Sequence, residues 1–90
     1  MTPKEIKDKY TIPEMLAMLP AEVIKNRRNF FYMHEVFDLA IRKSKRFNTW
    51  TVEYFNDRTV KTLFQHQNTD LAICLAMMIQ ELSENKYIEL

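Results

Sequence analysis

From Thr49 to Leu82 the apolar side chains recur first at every second position and then, beyond Asn68-Thr69-Asp70, at helical spacing. This pattern predicts two strands joined by a tight turn and followed by a helix. Trp50, Val52 and Tyr54 alternate with Thr51, Glu53 and Phe55, and Val60, Thr62 and Phe64 alternate with Lys61, Leu63 and Gln65. Such aromatic and β-branched content suits a pleated, half-buried surface. A three-residue loop at Asn56-Asp57-Arg58 pairs Tyr54 with Val60, Val52 with Thr62 and Trp50 with Phe64, whereas a two-residue loop sets Lys61 against the apolar face. A slip of one residue turns every side chain to the other face, so the longer loop is expected.

The helix is expected to start at Asn68 or Thr69, with Asp70 well placed against its N-terminal dipole, and to run to about Glu84. At about 100° per residue, Leu71, Cys74, Leu75, Met78, Ile79 and Leu82 form one broad stripe that faces the sheet, with Ala72 and Ala76 at its margin. Ile73 and Met77 fall on the back beside Gln80 and Glu84, where a helix on a sheet normally shows polar residues. The tail from Asn85 to Leu90 can add an edge strand through Tyr87 and Ile88.

Two short helices precede this block. Thr2-Pro3-Lys4-Glu5 reads as a capping box with proline at the first helical position, and Thr11-Ile12-Pro13-Glu14 repeats the device. Pro20 stops the second helix, and Pro20-Ala21-Glu22 is expected to open a further turn holding Val23 and Ile24. The middle segment, Phe30 to Lys43, fits two periods. As a strand it sets Phe37, Leu39 and Ile41 on one side; as a helix it aligns Met33, Val36, Phe37, Ala40 and Ile41.

Trp50-Thr51-Val52-Glu53-Tyr54, the run from Asn68 to Leu82, and Asn85-Lys86-Tyr87-Ile88 resemble small uncharacterised proteins of bacteriophages and prophages. That resemblance covers about the last half of the chain and rests on packing residues, so it implies a fold and no activity. It implies that the segment before the tryptophan strand is also a strand. The expected fold is therefore α+β, in the order αβββα. Short N-terminal helices precede a three-stranded antiparallel meander over about 35–43, 49–55 and 59–66, with a helix over 69–84 packed across it. Double-stranded RNA-binding domains share this order but carry lysines at the start of the last helix. Thr69 and Asp70 stand there in this chain, which argues against RNA binding of that type.

Ninety residues, 47% of them hydrophobic, suffice for one domain. Thirteen basic and twelve acidic side chains leave a formal charge of +1, so no global field draws the protein to nucleic acid or membranes. The single cysteine, Cys74, cannot form an internal disulfide and suits a reducing cytoplasm. The N-terminus lacks the apolar run of a signal peptide, and the longest apolar run, Leu71 to Ile79, is about half of what a spanning helix needs. A soluble cytoplasmic protein is expected. Glycine is absent, so positive-φ positions are expected to fall to asparagine or aspartate. The phosphate-binding P-loop, the dinucleotide fingerprint, the nucleophile elbow and the EF-hand loop are excluded with it.

Candidate chemistry is sparse. His34 and His66 lack a further ligand at metal-site spacing, and Asp38, Glu53, Asp57 and Asp70 show no paired-carboxylate arrangement. No enzyme activity, metal or cofactor is expected. The favoured reading is a small accessory protein of a phage or mobile element that binds a host or phage protein through Ile73, Met77, Gln80 and Glu84, with a homodimer left open. Met15 and Met18 belong either to that interface or to ordinary core, if the N-terminal helices fold over the last one. The alternative is a nucleic-acid-binding regulator using Arg27, Arg28, Arg42, Lys43, Lys45 and Arg46. A helical middle segment would give that alternative a winged-helix outline.

Overall fold

The computed structural model describes residues 1–26 and 34–90. Helices α1 (Pro3–Lys9) and α2 (Ile12–Met18) lead into strands β1 (Glu22–Asn26), β2 (His34–Lys43), β3 (Trp50–Asn56) and β4 (Lys61–Asn68), and helix α3 (Leu71–Glu84) follows. Both capping boxes form: Thr2 and Thr11 each accept from the backbone N–H three residues on, while Glu5 and Glu14 reach back to the cap. These bonds hold both glutamates below the usual carboxylate range.

The fold is α+β, but the sheet has four antiparallel strands in the order β1-β2-β3-β4 rather than three. The extra strand is the segment after Pro20, for which a helical turn is the local expectation. Val23 lies opposite Phe37 and Ile24 opposite Val36, so long-range pairing of β-branched side chains overrides a weak helix start. The middle segment is a strand where it is described, and Phe30 to Met33 lie outside the described residues.

The β3–β4 register also departs from expectation. Tyr54 lies opposite Phe64, Val52 opposite His66 and Trp50 opposite Asn68, four residues further along β4 than a three-residue loop allows. The four-residue turn at 57–60 accounts for three of these positions and an irregularity between Tyr54 and Phe55 for the fourth. The Asn56 side chain closes that turn by accepting from the N–H groups of Arg58 (2.9 Å) and Thr59 (3.2 Å). A slide by an even number preserves the side-chain face, so Val52 and Tyr54 still point at the helix.

Asp70, rather than Asn68 or Thr69, caps α3, accepting from Ala72 N–H at 2.9 Å and Ile73 N–H at 3.4 Å. At the other end Lys86 N–H bonds the Ser83 carbonyl and Tyr87 N–H bonds that of Leu82, a Schellman motif with Lys86 at φ 63° where glycine is usual. This turn leads the tail away from a strand, and Tyr87 instead meets Phe64 edge-on with ring centres 5.9 Å apart. No helix among the described residues is long and apolar enough to cross a membrane.

Cys74, Leu75, Met78, Ile79 and Leu82 are fully buried, as the helical stripe requires, against Val52 and Tyr54. Ile6 of α1 and Met15 of α2 join the same core, and both short helices pack on α3. Each fully buried side chain of this size contributes about 1.5–3 kcal/mol. The smallest dimension, 18 Å, is that of two layers, a sheet and a layer of helices. The opposite face of the sheet carries no described helix, and it positions the surfaces considered next.

Candidate functional site

Strand pairing sets Glu22, Ile24, Val36, Asp38, Ala40, Arg42, Thr51, Glu53, Phe55, Gln65 and Gln67 on this outer face. Its two ends differ in chemistry. At the end nearer the β3–β4 turn, Ile24 and Val36 are an exposed cross-strand apolar pair, with half-buried Phe55 opposite Asp38. Glu22 and Asp38 also lie directly opposite each other, both exposed, and no described cation pairs with either. Like charges in that position repel. Val36, Asp38, Asn56, Asp57 and Arg58 line an open cleft of about 370 Å³, so the fold brings two carboxylates, Asp38 and Asp57, to one place. Sequence spacing did not signal this, because one lies in β2 and the other beyond β3.

The middle of the face is polar and internally satisfied. Glu53 is buried between Arg42, whose Nη2 lies 2.7 Å from its Oε1, and Gln65, whose Nε2 donates to its Oε2 at 3.0 Å. Arg42 is therefore committed to a structural ion pair, leaving Lys43, Lys45 and Arg46 of the basic cluster without an anionic partner among the described residues.

Those three occupy the β2–β3 tip. Ser44 N–H bonds the Thr49 carbonyl at 2.8 Å, the Ser44 hydroxyl accepts from Phe47 N–H at 3.3 Å, and Asn48 adopts φ 51°. The turn so formed projects Phe47, which is 68% exposed. The Arg46 guanidinium lies 5.4 Å from the Phe47 ring centre and the Lys43 ammonium 5.3 Å from that of Trp50. Arg27 and Arg28, the other half of the expected basic surface, lie outside the described residues. The winged-helix outline is not formed, because residues 34–43 are a strand.

The expected helix surface is changed by α1. Ile73, Met77 and Gln80 are half-buried and only Glu84 is fully exposed, while Ala76, placed at the margin by the helical pattern, is fully buried. Gln80 donates through Nε2 to the Met1 carbonyl at 3.1 Å, and Lys7 pairs with Asp70. The latter contact, with the helix N–H groups, holds the Asp70 carboxyl below its usual range. Met15 belongs to the core and Met18 packs against it.

The remaining candidates serve the fold. His66 Nε2 lies 3.0 Å from Glu81 Oε1, tying β4 to α3. The Cys74 thiol donates to the His66 carbonyl at 3.1 Å, and burial pushes its pKa up, away from reactivity. The side chain of His34 lies outside the described residues. Among the described residues no group of three or more ligating side chains is arranged to hold a metal. No family model, curated protein or solved structure matches the chain, so its function is argued from these surfaces alone.

Proposed function

We propose that this is a small, non-enzymatic cytoplasmic binding protein that docks a partner protein on the acidic, apolar end of its outer sheet face. The observation that carries this reading is the exposed Ile24–Val36 pair beside the Glu22–Asp38 pair, with which no cation among the described residues forms an ion pair. Two carboxylates held opposite each other weaken the hairpin unless a cation arrives to separate them, and exposed aliphatic side chains beside them favour a segment that combines basic and apolar residues. Ile73 and Met77 fit such a role less well, since α1 leaves them half-buried. Resemblance of the C-terminal half to phage and prophage proteins supports an accessory role in a mobile element, with a host or phage protein as partner.

The test is affinity capture with the intact protein, a Glu22→Gln/Asp38→Asn variant and an Ile24→Thr variant, each confirmed folded by circular dichroism. A partner bound at constant stoichiometry, lost with either variant and weakened by salt, supports the reading. Retention of the same partner by both variants removes this surface.

A further inference from the structure

We propose that the β2–β3 tip is a contact site for single-stranded nucleic acid, in which Phe47 stacks on an unpaired base and Lys43, Lys45 and Arg46 hold the flanking phosphates. Three observations converge there. Lys43, Lys45 and Arg46 are exposed and have no anionic partner among the described residues, so phosphate binding breaks no ion pair described there. Phe47 is an apolar ring presented to solvent by a hydrogen-bonded turn, so little ordering is needed when a base covers it. The outer face adjoining the tip is polar: exposed Arg42 and Gln67 flank Thr51, which is itself buried.

The chemistry separates this ligand from other anionic surfaces. A bilayer rewards several apolar side chains at one depth, whereas Phe47 stands among Ser44, Lys45, Arg46, Asn48 and Thr49, with a guanidinium against its ring. A duplex keeps its bases stacked and offers Phe47 no free face, whereas single strands bind through stacking platforms beside cationic tracks. The tip lies five residues along β2 from Asp38, about 17 Å at strand spacing, so it is separate from the surface proposed for the protein partner.

The experiment is fluorescence anisotropy of a labelled oligothymidylate of about 12 nucleotides, a length within the usual single-strand footprint. The protein is titrated across a salt series, with the matching duplex and phosphatidylserine vesicles as competitors. Three phosphate contacts at about 0.7 ions each predict a log–log salt slope near −2. Phe47→Ala is expected to weaken binding roughly 5- to 100-fold, the range of one stacked base, while Phe47→Trp retains it. Lys45→Gln/Arg46→Gln should bring the slope to about −0.7. Both sites are exposed, so these variants are expected to melt like the parent. Equal affinity for the duplex, stronger competition by vesicles, or Phe47→Ala binding at parental strength overturns the proposal. The Glu22→Gln/Asp38→Asn variant should bind the oligonucleotide unchanged, so this proposal and the protein-binding one fail separately.

Discussion

Tyr54, fully buried at the centre of β3, donates its phenolic hydroxyl to the carbonyl of Pro20 at 2.8 Å, linking the sheet to the turn between α2 and β1. The bond satisfies the hydroxyl where water is excluded and secures the point at which the chain changes from helix to strand. Tyr54→Phe keeps the packing but leaves the Pro20 carbonyl without this donor, and is expected to cost about 1–2 kcal/mol in urea unfolding.

The same burial raises the Tyr54 hydroxyl above its ordinary pKa of 10.0. The unfolded chain therefore releases this proton at lower pH than the folded one. Its contribution is fully present below pH 10 and is lost as the pH rises beyond that value toward the folded-state pKa. A urea midpoint that falls above pH 10 in the parent, and falls less in Tyr54→Phe, is the expected result.

Arg42 and the lysines beyond it look alike in sequence, yet their removal should differ. Arg42→Ala leaves the Glu53 carboxylate, whose side chain is 7% exposed, with Gln65 as its remaining bonded partner. Because the Arg42 side chain is itself 63% exposed, solvent screening reduces the loss to roughly 1 kcal/mol. Lys45→Ala, on the open tip, should change stability by less than about 0.5 kcal/mol. Equal midpoints for the two variants would contradict the structural role given to Arg42.

Val60 is a β-branched residue at φ 54° and is 74% exposed in the β3–β4 turn. The left-handed region costs such a residue roughly 1–2 kcal/mol, and little packing offsets that cost here. Val60→Asn should stabilise the protein by about 1 kcal/mol, raising the melting temperature by roughly 4–8 °C for a domain of this size. An unchanged or lower melting temperature would count against this turn geometry.

The half-burial of Ile73 and Met77 changes what substitution there does. Glutamate at Ile73 is expected to cost on the order of 1 kcal/mol of folding stability, the share of apolar burial it forfeits. A purely external interface residue would lose association at an unchanged melting temperature, so calorimetry of Ile73→Glu separates the two roles.

The capping boxes of α1 and α2, the buried stripe of α3 and the inward direction of Val52 and Tyr54 were legible because each depends on neighbours within a few positions. A threonine with glutamate three residues on, or leucines one turn apart, carries its own partner in sequence. β1 was missed because Val23 and Ile24 gain their strand partners, Phe37 and Val36, only across the hairpin. Positive φ does not fall to asparagine or aspartate alone: Asn48 fits that expectation, whereas at Val60 and Lys86 turn closure and the helix end impose a conformation the side chain does not favour.

Sequence by itself determined the α+β class, the faces of β3 and α3 and the exclusion of glycine-dependent chemistry, since local periodicity and composition suffice for these. Tertiary structure alone decided the fourth strand, the β3–β4 register, the commitment of Arg42 to Glu53 and the gathering of Glu22, Asp38 and Asp57 at one end of the sheet. Each of those depends on hydrogen-bond and charge partners distant in the chain, and a register set by such partners leaves no mark in any short window of residues.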